Sequence, residues 1–104
     1  MFCTFGEIIK EIRKDKNLTI IEMSKILNID NSLLGKIENN LRNPSDDLIN
    51  IFSKRFNIDL NMLIVASQSD KMVEFLKRSP QELKDKILES FINKIHNEVK
   101  RASK

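Results

Sequence analysis

Residues 19–39 read TIIEMSKIL-NID-NSLLGKIEN, two short amphipathic segments with three residues between them. A joint that short leaves room only for a turn, so the two segments must lie against each other as consecutive helices. Local chemistry sets their register. Thr19 with Glu22 three residues on forms a capping box that starts the first segment. Met23, Ile26 and Leu27 then give an apolar stripe at helical spacing. Asn28-Ile29-Asp30 interrupts, and Asp30 suits the N-cap of the second segment.

This is the sequence form of a helix–turn–helix. Taking 100° per residue, Asn31, Ser32, Gly35, Lys36 and Asn39 fall on one face of the second helix, with Leu33, Leu34 and Ile37 roughly opposite. The apolar side must pack inward, which presents the polar side outward. Asn, Ser and Lys can hydrogen-bond base edges in a DNA major groove. Gly35 leaves no side chain to hold the helix off a target, a reason to tolerate its cost of about 1 kcal/mol against Ala. Periodicity alone equally allows two ordinary core helices with a solvated polar face.

The wider pattern decides between them. The run Gly6-x-x-Ile9…Arg13-x-x-x-x-Leu18-Thr19-x-x-x-Met23-Ser24-x-x-Leu27-Asn28-Ile29…Ile37-Glu38…Asn43-Pro44-Ser45 resembles the Cro/C1-type (Xre-like) helix-turn-helix family, over about residues 4–66. The resemblance implies an all-α, five-helix, lambda repressor-like domain that binds double-stranded DNA. It implies a recognition helix at residues 30–39, with Asn31, Ser32 and Lys36 contacting bases. Contacts to the DNA backbone would come from Thr19 and Ile20 and from Asn39, Asn40, Arg42 and Asn43. It also implies an ion pair between Arg13 and Glu38, which makes Arg13 structural rather than DNA-binding. That pairing is physically apt, since Glu38 sits at the edge of the apolar face and needs a partner if covered.

The chain departs from the family at three positions. Ile20 stands where the family usually has a phosphate-holding Gln, leaving only a backbone N–H at a helix N-terminus, itself a favourable phosphate site. Ser24 replaces a small alanine between the two helices and needs one hydrogen bond. Asn28 replaces the turn glycine, and Asn tolerates the left-handed backbone such a turn requires.

Composition bounds the rest. The chain has 104 residues, two Gly, two Pro and only Phe among the aromatics. That predicts one small helical domain with at most an appended element. No apolar run approaches the roughly 20 residues needed to cross a membrane, and the start MFCTFGEIIKEIRK lacks a secretion-signal layout. Cys3 alone permits neither an internal disulfide nor a cysteine-based metal site; it reads as a small apolar residue or a free thiol. A reducing cytoplasm is the expected location. The net charge of +3 does not itself argue for nucleic acid, because nine bases balance nine acids up to Ala66. Local placement is more telling. Between Asn31 and Ser45 the only acid is Glu38, alongside Lys36, Arg42 and four asparagines.

Further helices follow from the same signals. Thr4 and Glu7 cap a first helix carrying Phe5, Ile8, Ile9 and Ile12. Asn43-Pro44-Ser45 stops the recognition segment and caps a fourth helix with Asp46 and Asp47 at its positive end and Leu48, Ile51, Phe52 and Phe56 on its core face. A fifth short helix runs through Leu60, Leu63 and Ile64. The predicted core is Leu18, Met23, Leu27, Leu34, Ile37, Phe52 and Leu63.

Residues 1–66 are thus predicted to be a DNA-binding domain, and residues 67–104 a helical extension behind a polar joint at Ser67-Gln68-Ser69. Met72, Val73, Phe75 and Leu76 make about two helical turns. Ser79-Pro80-x-Glu82 then signals the start of a helix of about 20 residues. Leu83, Ile87, Leu88, Phe91, Ile92, Ile95 and Val99 form its apolar stripe, which needs a cover. That cover is either the chain's own domain or a second copy. A second copy is the expectation, since two-fold dimers reading half-sites a DNA turn apart are the usual solution. His96 reads as a solvated helix residue.

The expected function is a homodimeric DNA-binding regulator, most simply a repressor, with no cofactor and no metal. An antitoxin or restriction–modification controller, with a toxin or antirepressor as additional partner, is an alternative motivated by Ile20, Ile21 and Ile26. A protein-interaction module that has lost DNA binding is another. The chain shows no Ser/His/Asp or Cys/His arrangement, metal-ligand spacing or phosphate-cradling glycine loop, so it is not expected to be an enzyme.

Overall fold

A computed structural model describes residues 3–102, which are helical throughout apart from short connections. The helices are α1 (Phe5–Asp15), α2 (Ile20–Leu27), α3 (Asn31–Glu38), α4 (Asp46–Phe56), α5 (Leu60–Lys77) and α6 (Lys84–Ala102), with a 3-10 turn over Gln81–Leu83 before α6. The division between compact units falls between Lys71 and Met72.

Three of the first four helices, α1, α2 and α4, start on a side-chain cap. Thr4 Oγ1 accepts from Glu7 N at 3.1 Å, and Ser45 Oγ accepts from Leu48 N at 3.2 Å. Thr19 makes the full reciprocal box: its hydroxyl accepts from Glu22 N at 3.1 Å, and Glu22 Oε1 accepts from Thr19 N at 2.9 Å. Such caps contribute about 1 kcal/mol each. Asp30 holds N-cap backbone geometry and its carbonyl accepts from Leu34 N, but its side chain makes no capping bond. An exposed carboxylate keeps its hydration, so that bond is optional.

The helices end as consistently as they begin. Asn17, Asn28, Asn40 and Asn57 all adopt left-handed backbone, with φ between 53° and 61°. Each follows a helix, where a residue of this conformation turns the chain sharply and returns its N–H groups to the last carbonyls. Asparagine does here what glycine commonly does elsewhere. That economy explains how five helices pack closely in a chain with two glycines.

Phe5 and Ile9 of α1, Met23 and Leu27 of α2, Leu34 and Ile37 of α3, Leu48, Ile49, Phe52 and Phe56 of α4, and Leu63 and Ala66 of α5 form one buried core. Leu18 packs against its edge. The Phe5 and Phe52 rings meet edge to face at 5.5 Å, a favoured aromatic geometry. Ile49 turns inward more completely than Ile51, which is half-buried. Gly6 lets α1 approach the end of α3, because a Cβ there would collide with the backbone carbonyls of Ile37 and Glu38.

Arg13 and Glu38 form an ion pair at 2.8 Å on the rim of this core, and the Glu38 side chain is only 2% exposed. Arg13 Nη1 also donates to the Leu18 carbonyl at 2.9 Å. The hydrogen bonds to Glu38 raise the guanidinium pKa above its ordinary value, against the opposing effect of burial. The guanidinium therefore stays charged.

The structure differs from the sequence expectation at three places. Ser24 is buried, but its Oγ has no hydrogen-bond partner. The polar joint at Ser67-Gln68-Ser69 is helical, inside an α5 of 18 residues rather than a short fifth helix. The helix continues through both serines: Ser67 is buried with its Oγ unpartnered, and the Ser69 hydroxyl bonds back to the Val65 carbonyl at 2.8 Å. Extending α5 brings Asp70 Oδ2 within 2.9 Å of the Phe5 N–H, capping the start of α1 from 65 residues away.

The third difference lies at Ser79. Its N–H closes the end of α5 on the Leu76 carbonyl and its hydroxyl points back to Phe75 O, so it does not cap the next helix. Pro80 is extended, a 3-10 turn follows, and α6 starts at Lys84. Along α6, Leu83 just before it and Leu88, Phe91, Ile92, Ile95 and Val99 are exposed, with Ile87 half-buried. His96 is exposed on the same helix, and Cys3 is an exposed free thiol near the start of the chain. Among the described residues no helix is long and apolar enough to cross a membrane.

Candidate nucleic-acid interface

Helix α3 is pinned on one side only. Leu34, Ile37 and Glu38 are buried, and Leu33 is half-buried. Asn31, Ser32, Lys36 and Asn39 are exposed on the other side. A Cβ added at Gly35 would meet nothing within 4 Å, so this position lies open between Ser32 and Lys36. The resulting face is polar, without acids between Asn31 and Ile37, and smooth at its middle. Those properties allow close approach to a surface of hydrogen-bonding groups.

Flanking elements extend it. Thr19 is exposed at the start of α2, while Ile20 is half-buried and packs against the core. The Ile20 side chain therefore serves packing, and what it offers a ligand is the N–H at the first position of α2, where the helix dipole is positive. After α3, Asn39, Asn40, Arg42 and Asn43 are all exposed. Asn39 Nδ2 donates to the Gly35 carbonyl at 3.0 Å, tightening the end of the helix. The Asn40 side-chain oxygen lies 2.6 Å from where a Gly6 Cβ would stand, so Asn40 also faces α1. Pro44 is buried and anchors the far end of the loop. The loop is thus held at both ends with Lys36 and Arg42 as its cations.

Two positions that matter to this geometry were not singled out by sequence reasoning. Asp70 braces α1 from the distal part of α5, with no local sequence signal. Leu41 sits 77% exposed inside the loop. Its place directly after a left-handed Asn40 was the available clue.

This arrangement of five helices, with a short turn before an outward-facing third helix, is that of a known family. Residues 9–63 match the helix-turn-helix family, and the chain belongs to its Cro/C1-type (Xre-like) group of DNA-binding domains. Over 58 residues, 56% of this chain, the sequence is 38% identical to the "ImmF control region 10 kDa protein" of Bacillus phage phi105. The match spans 64% of that protein, slightly less than two thirds of its length. No solved structure gives a significant match.

Proposed function

We propose that this chain is a sequence-specific transcriptional regulator of double-stranded DNA, acting in the cytoplasm as a homodimeric repressor. The observation that carries this reading is the two-sidedness of α3: Leu34, Ile37 and Glu38 hold it in the core while Asn31, Ser32, Gly35 and Lys36 lie open. In the major groove, Asn31, Ser32 and Lys36 read base edges. Thr19, the Ile20 N–H, Asn39, Asn40, Arg42 and Asn43 hold the phosphates on either side and set the register. Similarity to a phage protein named for a control region supports a regulatory role.

Residues 1–66 supply the DNA surface and residues 67–104 the dimerisation element. The exposed stripe of Leu83, Leu88, Phe91, Ile92, Ile95 and Val99, with Ile87 beside it, is too apolar to remain in water and meets the same stripe of a second copy. Promoter occlusion is then the simplest mechanism. The test is gel-shift against the chain's own upstream region at low and moderate salt, followed by footprinting. Protection of two half-sites about one helical turn apart supports the reading. A folded dimer that retards no DNA refutes it and favours a protein-interaction module.

A second reading has its own observation. Ile21 is 54% and Ile26 38% exposed on α2, which suits a protein partner as well as DNA, as in an antitoxin or a restriction–modification controller. An adjacent toxin or methyltransferase gene favours it.

A further inference from the structure

Leu41 is more exposed than any other large hydrophobic among the described residues, at 77%, and it lies in the loop that follows the recognition helix. Its backbone is fixed. The Leu41 N–H donates to Lys36 O at 2.8 Å, the Asn40 N–H donates to Ile37 O at 3.1 Å, and Asn40 has φ 61°. This is a Schellman ending, in which the residue at Leu41's position ordinarily packs on an apolar side chain one turn back. Here the residues one turn back are Gly35, with no side chain, and Lys36, which is exposed. The motif therefore holds an exposed leucine just past the end of α3 and gives it no apolar side chain to cover.

The neighbours identify the kind of partner. Asn39, Asn40, Arg42 and Asn43 flank Leu41 in the chain, all exposed and none acidic. A protein-docking leucine sits among other apolar groups, whereas this one sits among hydrogen-bond donors and a cation suited to phosphate. We propose that Leu41 is a DNA-contacting residue that covers hydrocarbon on the groove wall, either a thymine C5-methyl group or the face of a deoxyribose. The inference rests on the reading of residues 31–43 as the DNA edge. It adds an apolar contact to an interface otherwise composed of polar ones.

The test uses the full chain and a site selected from random duplex DNA. Leu41→Ala weakens binding roughly tenfold or more, the scale of returning one leucine side chain to water. The slope of log K against log salt stays that of the wild type, since no cation is lost. Leu41→Met, which keeps the apolar cover, retains most of the affinity. Because Leu41 is outside the core, both variants keep the wild-type circular dichroism spectrum and melting temperature.

Replacing each thymine by uracil removes one methyl group at a time. One position that weakens the wild type but leaves Leu41→Ala unaffected identifies the methyl contact. A weakened Leu41→Ala protein with no sensitive thymine identifies the deoxyribose. Leu41→Ala binding within twofold of wild type overturns the inference while the DNA-binding reading stands. A wild-type chain that selects no site overturns both.

Discussion

Arg13 and Glu38, 25 residues apart, meet through two parallel hydrogen bonds, Nε to Oε2 at 2.8 Å and Nη2 to Oε1 at 3.0 Å. The same guanidinium reaches the Leu18 carbonyl just ahead of α2. One arginine thus ties α1, the end of α3 and the entry to α2 together. The orientation of α3 in the core depends on it.

Removing one partner strands the other's charge. Arg13→Ala is expected to cost about 3–5 kcal/mol in urea unfolding, because the Glu38 carboxylate is nearly inaccessible to water. The double variant Arg13→Met/Glu38→Leu recovers most of that loss, since apolar replacements need no partner. A single-variant cost below about 1 kcal/mol would put the pair in the class of exposed surface bridges instead.

Ser24 is a second site where burial decides the sign. Its hydroxyl is buried and makes no hydrogen bond. Ser24→Ala removes that desolvated group with little change of volume and is expected to stabilise the domain by about 1–2 kcal/mol. Thermal melting of the two proteins side by side checks it; a lower melting temperature for the variant contradicts it.

The two glycines should respond in opposite ways. Gly6→Ala drives a methyl group into the Ile37 and Glu38 carbonyls, and is expected to cost about 1–3 kcal/mol or more. Gly35→Ala meets open space and gains about 1 kcal/mol of helix propensity. If α3 lies close against DNA, the same Gly35 variant binds operator more weakly while melting higher. Improved stability with unchanged DNA affinity would remove close approach as the reason for the glycine.

In the proposed reading Lys36 reads a base and Arg42 holds a phosphate, so their variants should behave differently. Lys36→Ala is expected to lose about 1–3 kcal/mol on the selected site and to relax preference at one base pair. Arg42→Ala weakens all sequences alike and lowers the salt slope by about one. Competition binding on a set of single-base operator variants distinguishes the two. A Lys36→Ala protein with unchanged affinity and footprint would remove the base-reading role.

Glu22 supplies a pH dependence. Hydrogen bonds from the Thr19 backbone and side chain, with a smaller contribution from Lys25, hold its pKa below the usual carboxylate value. A folded-state pKa below the unfolded one adds stability above the unfolded pKa, and that contribution is lost as pH falls through the folded value. NMR titration should show the Glu22 midpoint lowered in the wild type and only partly returned in Thr19→Ala, which removes the hydroxyl but keeps the backbone N–H. Glu22→Gln should flatten the acid limb of the stability profile.

Much of this architecture is legible in the sequence because it is local. The Thr19–Glu22 box, the Ser45 cap and the left-handed turn at Asn28 each involve residues within a few positions of one another, so residue type and spacing suffice. The inward set Leu34 and Ile37 and the outward set Asn31, Ser32 and Lys36 follow from helical periodicity once the register is known. Tertiary packing decided what spacing could not. It carried α5 through three polar residues that looked like a joint, with Ser67 turned into the core and the Ser69 hydroxyl bonded back to the preceding turn. It placed Asp70 on the first N–H of α1, a contact between groups 65 residues apart. It left the Ser24 hydroxyl alone, because a small side chain between packed helices takes whatever surroundings those helices impose. Helix starts and turns answer to neighbours in the chain, whereas burial and long-range partners are set by which surfaces meet.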